Sequence, residues 1–393
     1  MFGAIYTGLS GLSAYSEGLQ TISNNVSNLN TSGFKATTVS FTDQFNNYNN
    51  GISLVHKGSA NGNGVSINDL LVDFQQGDLR QTGNGLDLSL EGAGFLVLLD
   101  GDRTVYKRTG SFKVDDDGFI VLEGTDYKLG VLDGSNKAVE LNIDASRTSA
   151  PVATSVIKFA DNLSSTATEQ TLSDLRVFDN NGEEHVWQIE FVKDIAATGN
   201  EWAITVTNAE GRQVGSTRLV FAGGEVDAST TTLNITDPDN SGLSVDLDFS
   251  ENVSSFSSGQ VSTLRAASID GNGVGTITNI TVNEEGLLEL TYSNEEKNEL
   301  GAVAIADFRD PQSLEQLGGG IYVFNGNSEK RLLSSEDPEA GKVVAGRLEA
   351  SNVDLSDQFG ELILIQRGFQ ASSQIISVSN DMIQQLFGIR GQG

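Results

Sequence analysis

Cysteine is absent from this 393-residue chain, histidine occurs twice and proline four times. Without cysteine there can be no disulfide, thiolate metal site or thiol nucleophile. His56 and His185 alone supply imidazole, which leaves little for general acid–base chemistry. Positive charge is scarce: 24 Lys plus Arg stand against 53 Asp plus Glu, a formal net charge of −29. Gripping nucleic acid or an anionic lipid surface requires clustered basic residues, so neither partner is expected. No 18-residue window is apolar throughout, so no membrane insertion is expected. Residues 1–32 lack the basic start, apolar core and small-residue cleavage site of a secretory signal. These absences alone predict a cytosolic protein, unless export uses another route.

What is present is glycine, 44 residues of it, with 19 Phe and 7 Tyr. Glycine-rich turns between short apolar runs predict a mainly β protein. The two ends differ. Near the start, Ile5, Leu12, Leu19 and Val26 recur every seventh residue, broadened by Leu9, Tyr15, Ile22 and Leu29. Near the end the same spacing links Leu355, Leu362, Phe369, Ile376 and Ile383, broadened by Phe359, Ile365, Leu386 and Phe387. A seven-residue apolar repeat marks helices that pack side by side. Gly3, Gly8, Gly11 and Gly18 weaken the first helix by up to about 1 kcal/mol each relative to Ala, so it needs packing to form. Small residues also let helices approach closely.

The fold class expected is mainly β with long terminal α-helices, nested β modules lying between paired N- and C-terminal coiled-coil helices. Residues 1–32 and 351–393 form the helical domain and 33–75 a connector, partly ordered by Phe41, Phe45 and Tyr48. Residues 76–146 and 273–350 form the first β domain, and 147–272 an inserted outer β domain. In the first, Leu86, Leu88 and Leu90 alternate with Asp87 and Ser89, predicting a half-buried strand, and Asp100-Gly101 predicts a hairpin. In the second, Trp187, Ile189 and Phe191 alternate on one strand, and Trp202, Ile204 and Val206 on the next. Alternation places both Trp residues in a core rather than on a ligand platform.

Specific motifs sit beside the helices. The run Asn24-Asn25-Val26-Ser27-Asn28-Leu29-Asn30-Thr31-Ser32-Gly33-Phe34-Lys35-Ala36 resembles the N-terminal signature of the bacterial flagellar rod and hook axial family. Ser351-Asn352-Val353-Asp354-Leu355-Ser356 and Gln366-Arg367-Gly368-Phe369-Gln370-Ala371 resemble its C-terminal signature. Two departures stand out: Phe369 replaces the family's usual Tyr, and Gly368 replaces a frequent Asn. Thr82-Gly83-Asn84-Gly85-Leu86-Asp87-Leu88 through Gly94-Phe95 also resembles this family and separates it from flagellins. The motif residues Asn24, Asn25, Asn28, Gly33, Phe34, Asn352 and Asp354 are the ones the resemblance marks as functional.

The resemblance implies a polymer subunit whose terminal stripes form the self-assembly seam. The extra module is a feature of hook subunits that shorter rod proteins lack. The implied object is a tubular, flexible hook, passing torque from rod to filament outside the cell. Its implied partners are copies of itself in a helical polymer, rod and hook–filament junction proteins, the hook cap and the flagellar type III export apparatus. Two other readings are a distal rod-type subunit and an extracellular binding module gripping a ligand with residues 147–272.

Catalysis is not expected. Nucleophile elbow, HExxH and phosphate loop are all lacking, and Gly271-Asn272-Gly273-Val274-Gly275 precedes a strand rather than a helix. His185, beside Trp187 at a strand start, reads as structural. No cofactor is expected. Asp237, Asp239 and Asp248, with Ser241 and Gly242, fall at calcium-loop positions. Position 12 would need the longer Glu and the flanks would need helices, so a polar hairpin turn is the favoured reading. The acidity reads as a solubility feature of exposed β modules.

Overall fold

The computed structural model describes residues 2–43, 64–101, 103–197, 199–238, 243–326, 329–335, 337 and 341–390. The chain is mostly β, with one long helix at each end. It divides into two compact units. One comprises Met1–Asp144, Ile280–Glu289 and Glu299–Gly393, the other Ala145–Asn279 and Leu290–Asn298. The second unit thus starts near the expected boundary but takes in residues 273–279 and 290–298, expected to belong to the first β domain. Tyr292 Oη donates to Ser146 O at 2.7 Å, which ties its strand to the second unit.

In the first unit, the strands Phe95–Asp100 and Arg103–Lys107 pair antiparallel, as Asp100-Gly101 predicts. The strand Ile305–Phe308, some 200 positions later in the sequence, joins the same sheet through Ile305 and Ala306. Phe95, Tyr106, Phe308 and Tyr322 meet edge to face in its core, with ring centroids 4.8–5.7 Å apart. That arrangement suits the aromatic quadrupole. The strand Asp87–Glu91 departs from the half-buried expectation: Asp87, Leu88, Ser89 and Leu90 are all buried. It is a central strand, paired with Thr109–Val114 on one side and Lys342–Ala345 on the other. Asp87 is accommodated because Asn84 Nδ2 donates to its carboxylate at 2.9 Å.

In the second unit the strands Glu184–Lys193 and Asn200–Asn208 pair so that Ile189 faces Val206 and Phe191 faces Ile204. Trp187, Ile189, Phe191, Trp202, Ile204 and Val206 are fully buried, which fits the period-two pattern.

The first helix, α1 (Phe2–Ser27), stops five residues short of the expected 1–32. From Asn28 the chain turns: Asn28 Nδ2 donates back to Asn24 O at 2.9 Å and to Asn24 Oδ1 at 3.0 Å. Gly33 then adopts φ +70°. The expected connector contains a hairpin of β1 (Thr37–Asp43) and β2 (Val65–Val72). Within it Phe41 lies 5.5 Å from the Tyr15 ring; Phe45 and Tyr48 lie outside the described residues. The last helix, α2 (Leu355–Arg390), is capped by Asp354, whose Oδ1 accepts from Ser356 N at 2.7 Å.

The two helices run side by side in opposite directions. A Cβ at Gly8 would meet Ile376 at 2.9 Å, one at Gly11 would meet Ser372 Oγ at 2.6 Å, and one at Gly18 would meet Ile365 at 2.7 Å. On the other helix, a Cβ at Gly368 would lie 2.3 Å from the Tyr15 ring. Three of the four glycines that weaken α1 as a helix, Gly8, Gly11 and Gly18, are therefore where α2 approaches, whereas a Cβ at Gly3 would meet nothing within 4 Å, and Gly368 makes room for an aromatic ring. Substituting Gly18→Leu is expected to cost about 1–3 kcal/mol by overpacking. Gly360→Ala, where nothing lies within 4 Å of the added Cβ, is expected to stabilise by up to about 1 kcal/mol. Urea unfolding of both variants, followed by far-UV circular dichroism, checks the contrast.

Candidate self-assembly surface

The helix pair is fastened to the first unit by side chains from both signatures. Asn25 is fully buried. Its Nδ2 donates to Thr37 O (2.8 Å) and to Gln358 Oε1 (2.9 Å), and its Oδ1 accepts from Thr37 N (3.0 Å). One amide thereby joins α1, β1 and α2. Asn352 does the same from the other end. Its Oδ1 accepts from Ala36 N (2.7 Å), and its Nδ2 donates to Asp73 O (2.8 Å) and Gln75 O (3.0 Å). Phe34, Ala36 and Val353 form a small buried cluster with Leu29 packed on it. Gly33 N donates to Glu349 O at 2.7 Å, and a Cβ at Gly33 would strike Thr109 Cγ2 at 2.7 Å. Thr31 Oγ1 donates to Asn28 Oδ1 at 3.1 Å, holding the turn.

Beneath this junction lies a buried charge cluster. Glu349 is fully buried. Its Oε1 receives Lys35 Nζ at 2.6 Å and Gly77 N at 2.9 Å, and its Oε2 receives Arg108 Nε at 3.3 Å. The side chains of Lys35 and Arg108 are 0% and 1% exposed. Two cations share one carboxylate, and three backbone carbonyls accept further hydrogen bonds from them. Lys35 Nζ donates to Gln75 O at 2.5 Å, and Arg108 donates to Gly92 O at 2.6 Å and to Gly94 O. Burial pushes the Lys35 ammonium below its ordinary pKa, partly opposed by Glu349. Burial lowers Arg108 as well, again against Glu349.

Glu349 and Arg108 carry no sequence signal. Each is one charge on a short strand or beside it, and the pair is separated by 241 positions. Lys35 lies inside the N-terminal signature, yet its partner cannot be read from it.

The two apolar stripes are placed unevenly. On α1, Ile22 is buried, Ile5, Leu12, Leu19 and Val26 are half-buried, and Leu9 is 57% exposed. Leu29, just past the helix, is half-buried. On α2, Leu362, Ile376 and Ile383 are half-buried, whereas Leu355 and Phe369 are 37% and 38% exposed. The residues of α2 most buried are instead Gln358, Ile365, Ser372 and Ser379, also spaced by seven. Three polar side chains thus join Ile365 on the most buried face of α2. Phe359, Ile363, Leu364, Ile375, Val378, Met382 and Phe387 leave a broad apolar face on α2 open to solvent. A face this apolar on a single chain marks an interaction surface.

The calcium pattern is not assembled. Asp237 lies at the turn end of a hairpin, its N–H bonded to Leu243 O at 3.0 Å. Asp248 pairs with Thr232 at the far end of the same hairpin. Strand rise separates the two by about 16 Å at roughly 3.3 Å per residue, too far to share one ion. Asp239, Ser241 and Gly242 lie outside the described residues.

The buried cluster makes an asymmetric prediction. Glu349→Gln strands two buried cations and is expected to cost about 3–5 kcal/mol. Lys35→Met leaves Glu349 paired with Arg108 and is expected to cost about 1–3 kcal/mol. Equilibrium denaturation compares them. A second prediction concerns pH. Backbone N–H groups of Ser356 and Asp357 hold the Asp354 carboxyl below the usual carboxylate range. A depressed folded pKa contributes stability above the unfolded value of about 3.9, lost as pH falls through the folded value. Acid titration of the helical circular dichroism signal is expected to lose this component in Asp354→Asn.

Residues 5–35 match the family model "Flagella basal body rod protein", and residues 344–389 match "Flagellar basal body rod FlgEFG protein C-terminal". Residues 142–316 match "Flagellar basal body protein FlaE D2 domain". The flagellar hook protein FlgE of Treponema pallidum is 27% identical, the alignment covering 99% of this chain and 100% of that one. That of Salmonella typhimurium is 28% identical, with 97% and 98% covered. The crystal structure of Helicobacter pylori flagellar hook protein FlgE2 has 13% identity and a TM-score of 0.47, over 69% of this chain and 100% of that chain. Family models at both ends and in the intervening β region, with relatives aligned end to end, identify this chain as a member of the flagellar hook protein family.

Proposed function

We propose that the chain is the structural subunit of the flagellar hook, polymerising into a flexible tube outside the cell that passes torque from rod to filament. The observation that carries this is the end-to-end alignment with proteins named flagellar hook protein. The D2-domain match over 142–316 favours a hook subunit over a shorter rod-type one.

In this reading the terminal helices form a coiled coil whose exposed apolar face meets neighbouring copies. The seam comprises Ile5, Leu9, Leu12, Leu19, Ile22, Val26, Leu29, Leu355, Leu362, Phe369, Ile376 and Ile383. Head-to-tail contacts that do not close into a ring build an open helical polymer. Each apolar side chain removed from water contributes roughly 1.5–3 kcal/mol, so a few suffice to drive association. Export runs through the flagellar type III apparatus. The rod, the hook–filament junction and the cap are the other contacts. The role is mechanical rather than enzymatic.

Electron microscopy of the purified chain under polymerising conditions tests this. Tubes are expected from the intact protein. Leu9→Asp and Phe369→Asp are expected to keep the monomer fold, because both side chains are exposed, and to lose tubes. Normal tubes from both variants would refute the seam.

A further inference from the structure

The second unit holds a group of side chains that the hook reading leaves unused. Asp179, Glu183 and His185 each present a ligand atom, all within 4.8 Å of one another. They flank the turn joining the strands Glu169–Phe178 and Glu184–Lys193, where Val177 pairs with His185 and Phe178 with Glu184.

Asp179 is the anchor. It is 94% buried, with 6% of its surface exposed. Its Oδ1 accepts from Asn181 N and Glu183 N, both at 2.9 Å, which fixes the carboxylate plane. Its other oxygen, Oδ2, is differently served. It accepts a long hydrogen bond from Asn181 Nδ2 at 3.5 Å and lies 3.8 Å from His185 Nε2. Both are well beyond the roughly 2.7–2.9 Å of a charge-assisted hydrogen bond. A largely buried carboxylate oxygen thus faces an imidazole nitrogen 3.8 Å away.

We propose that this gap is a binding site for a divalent transition-metal ion of zinc type, held by Asp179 Oδ2, His185 Nε2 and a carboxylate oxygen of Glu183. Zinc–nitrogen and zinc–oxygen bonds are about 2.0–2.2 Å long. Two such bonds at a tetrahedral angle span about 3.4 Å, and a modestly wider angle spans the observed 3.8 Å. Nitrogen plus carboxylate oxygens suit zinc, copper or nickel better than the all-oxygen sets of calcium and magnesium. The Asn181 and Glu183 backbone donors play the orienting part that outer hydrogen bonds play at metal centres. Three protein ligands leave a fourth position for water. The site depends on neither the helices nor polymerisation.

Isothermal titration of the full-length monomer with zinc chloride tests it. Saturable binding of one ion per chain is expected. Asp179→Asn keeps the turn acceptor, and with His185→Gln it is expected to weaken that binding by about 10–100-fold or more. His56→Ala is expected to leave it unchanged. Absence of saturable binding overturns the proposal. So does full binding in His185→Gln, or loss of binding in His56→Ala. Unchanged circular dichroism of each ion-free variant separates lost ligation from lost folding.

Discussion

Glu349 is the point on which the first unit depends. A single buried carboxylate accepts from a lysine 314 positions away and an arginine 241 positions away. Taking each ion out of water costs several kcal/mol, so the cluster persists only because almost every donor finds an oxygen. Exposed ion pairs elsewhere are of another order. Arg309 and Glu329, with side chains 83% and 71% exposed and 4.0 Å apart, contribute at most about 1 kcal/mol. The buried cluster therefore fixes where the two chain ends meet the sheet, and Asn25 and Asn352 complete that geometry with backbone partners. Its arrangement is specific in direction as well as in energy, since Lys35 and Arg108 each bond both the carboxylate and backbone carbonyls.

Above this anchor the helices divide their surfaces between two tasks. Where the faces meet, Gly8, Gly11 and Gly18 of α1 stand against Ile376, Ser372 and Ile365 of α2, which brings the axes close. The outer face keeps its large apolar side chains. The helix pair thus leaves much large apolar surface of α2 exposed on a single chain.

Much of this was legible in the residues. Period-two alternation located the buried strands around Trp187 and Trp202, and Asp100-Gly101 located a hairpin. Seven-residue spacing located both helices. It did not locate the face between them, because spacing of large apolar residues is blind to glycine. Gly8, Gly11 and Gly18 read as helix weaknesses until Ile376, Ser372 and Ile365 are seen against them. The end of α1 at Ser27 depends on Asn28 turning back to Asn24, which competes with helix for the same amide groups. Glu349 and Arg108 were invisible for a plainer reason. A lone charge on a strand reads as solvent-facing unless the fold brings its counter-ion, and that contact is non-local.

The same sequence separation governs the order of events during folding. Lys35, Asn25 and Ala36 wait for Glu349, Gln358 and Asn352, which follow more than 300 positions later. Neither half of the clasp has its counterpart until nearly the entire polypeptide is available, so the junction closes around a whole chain and never around a partial one.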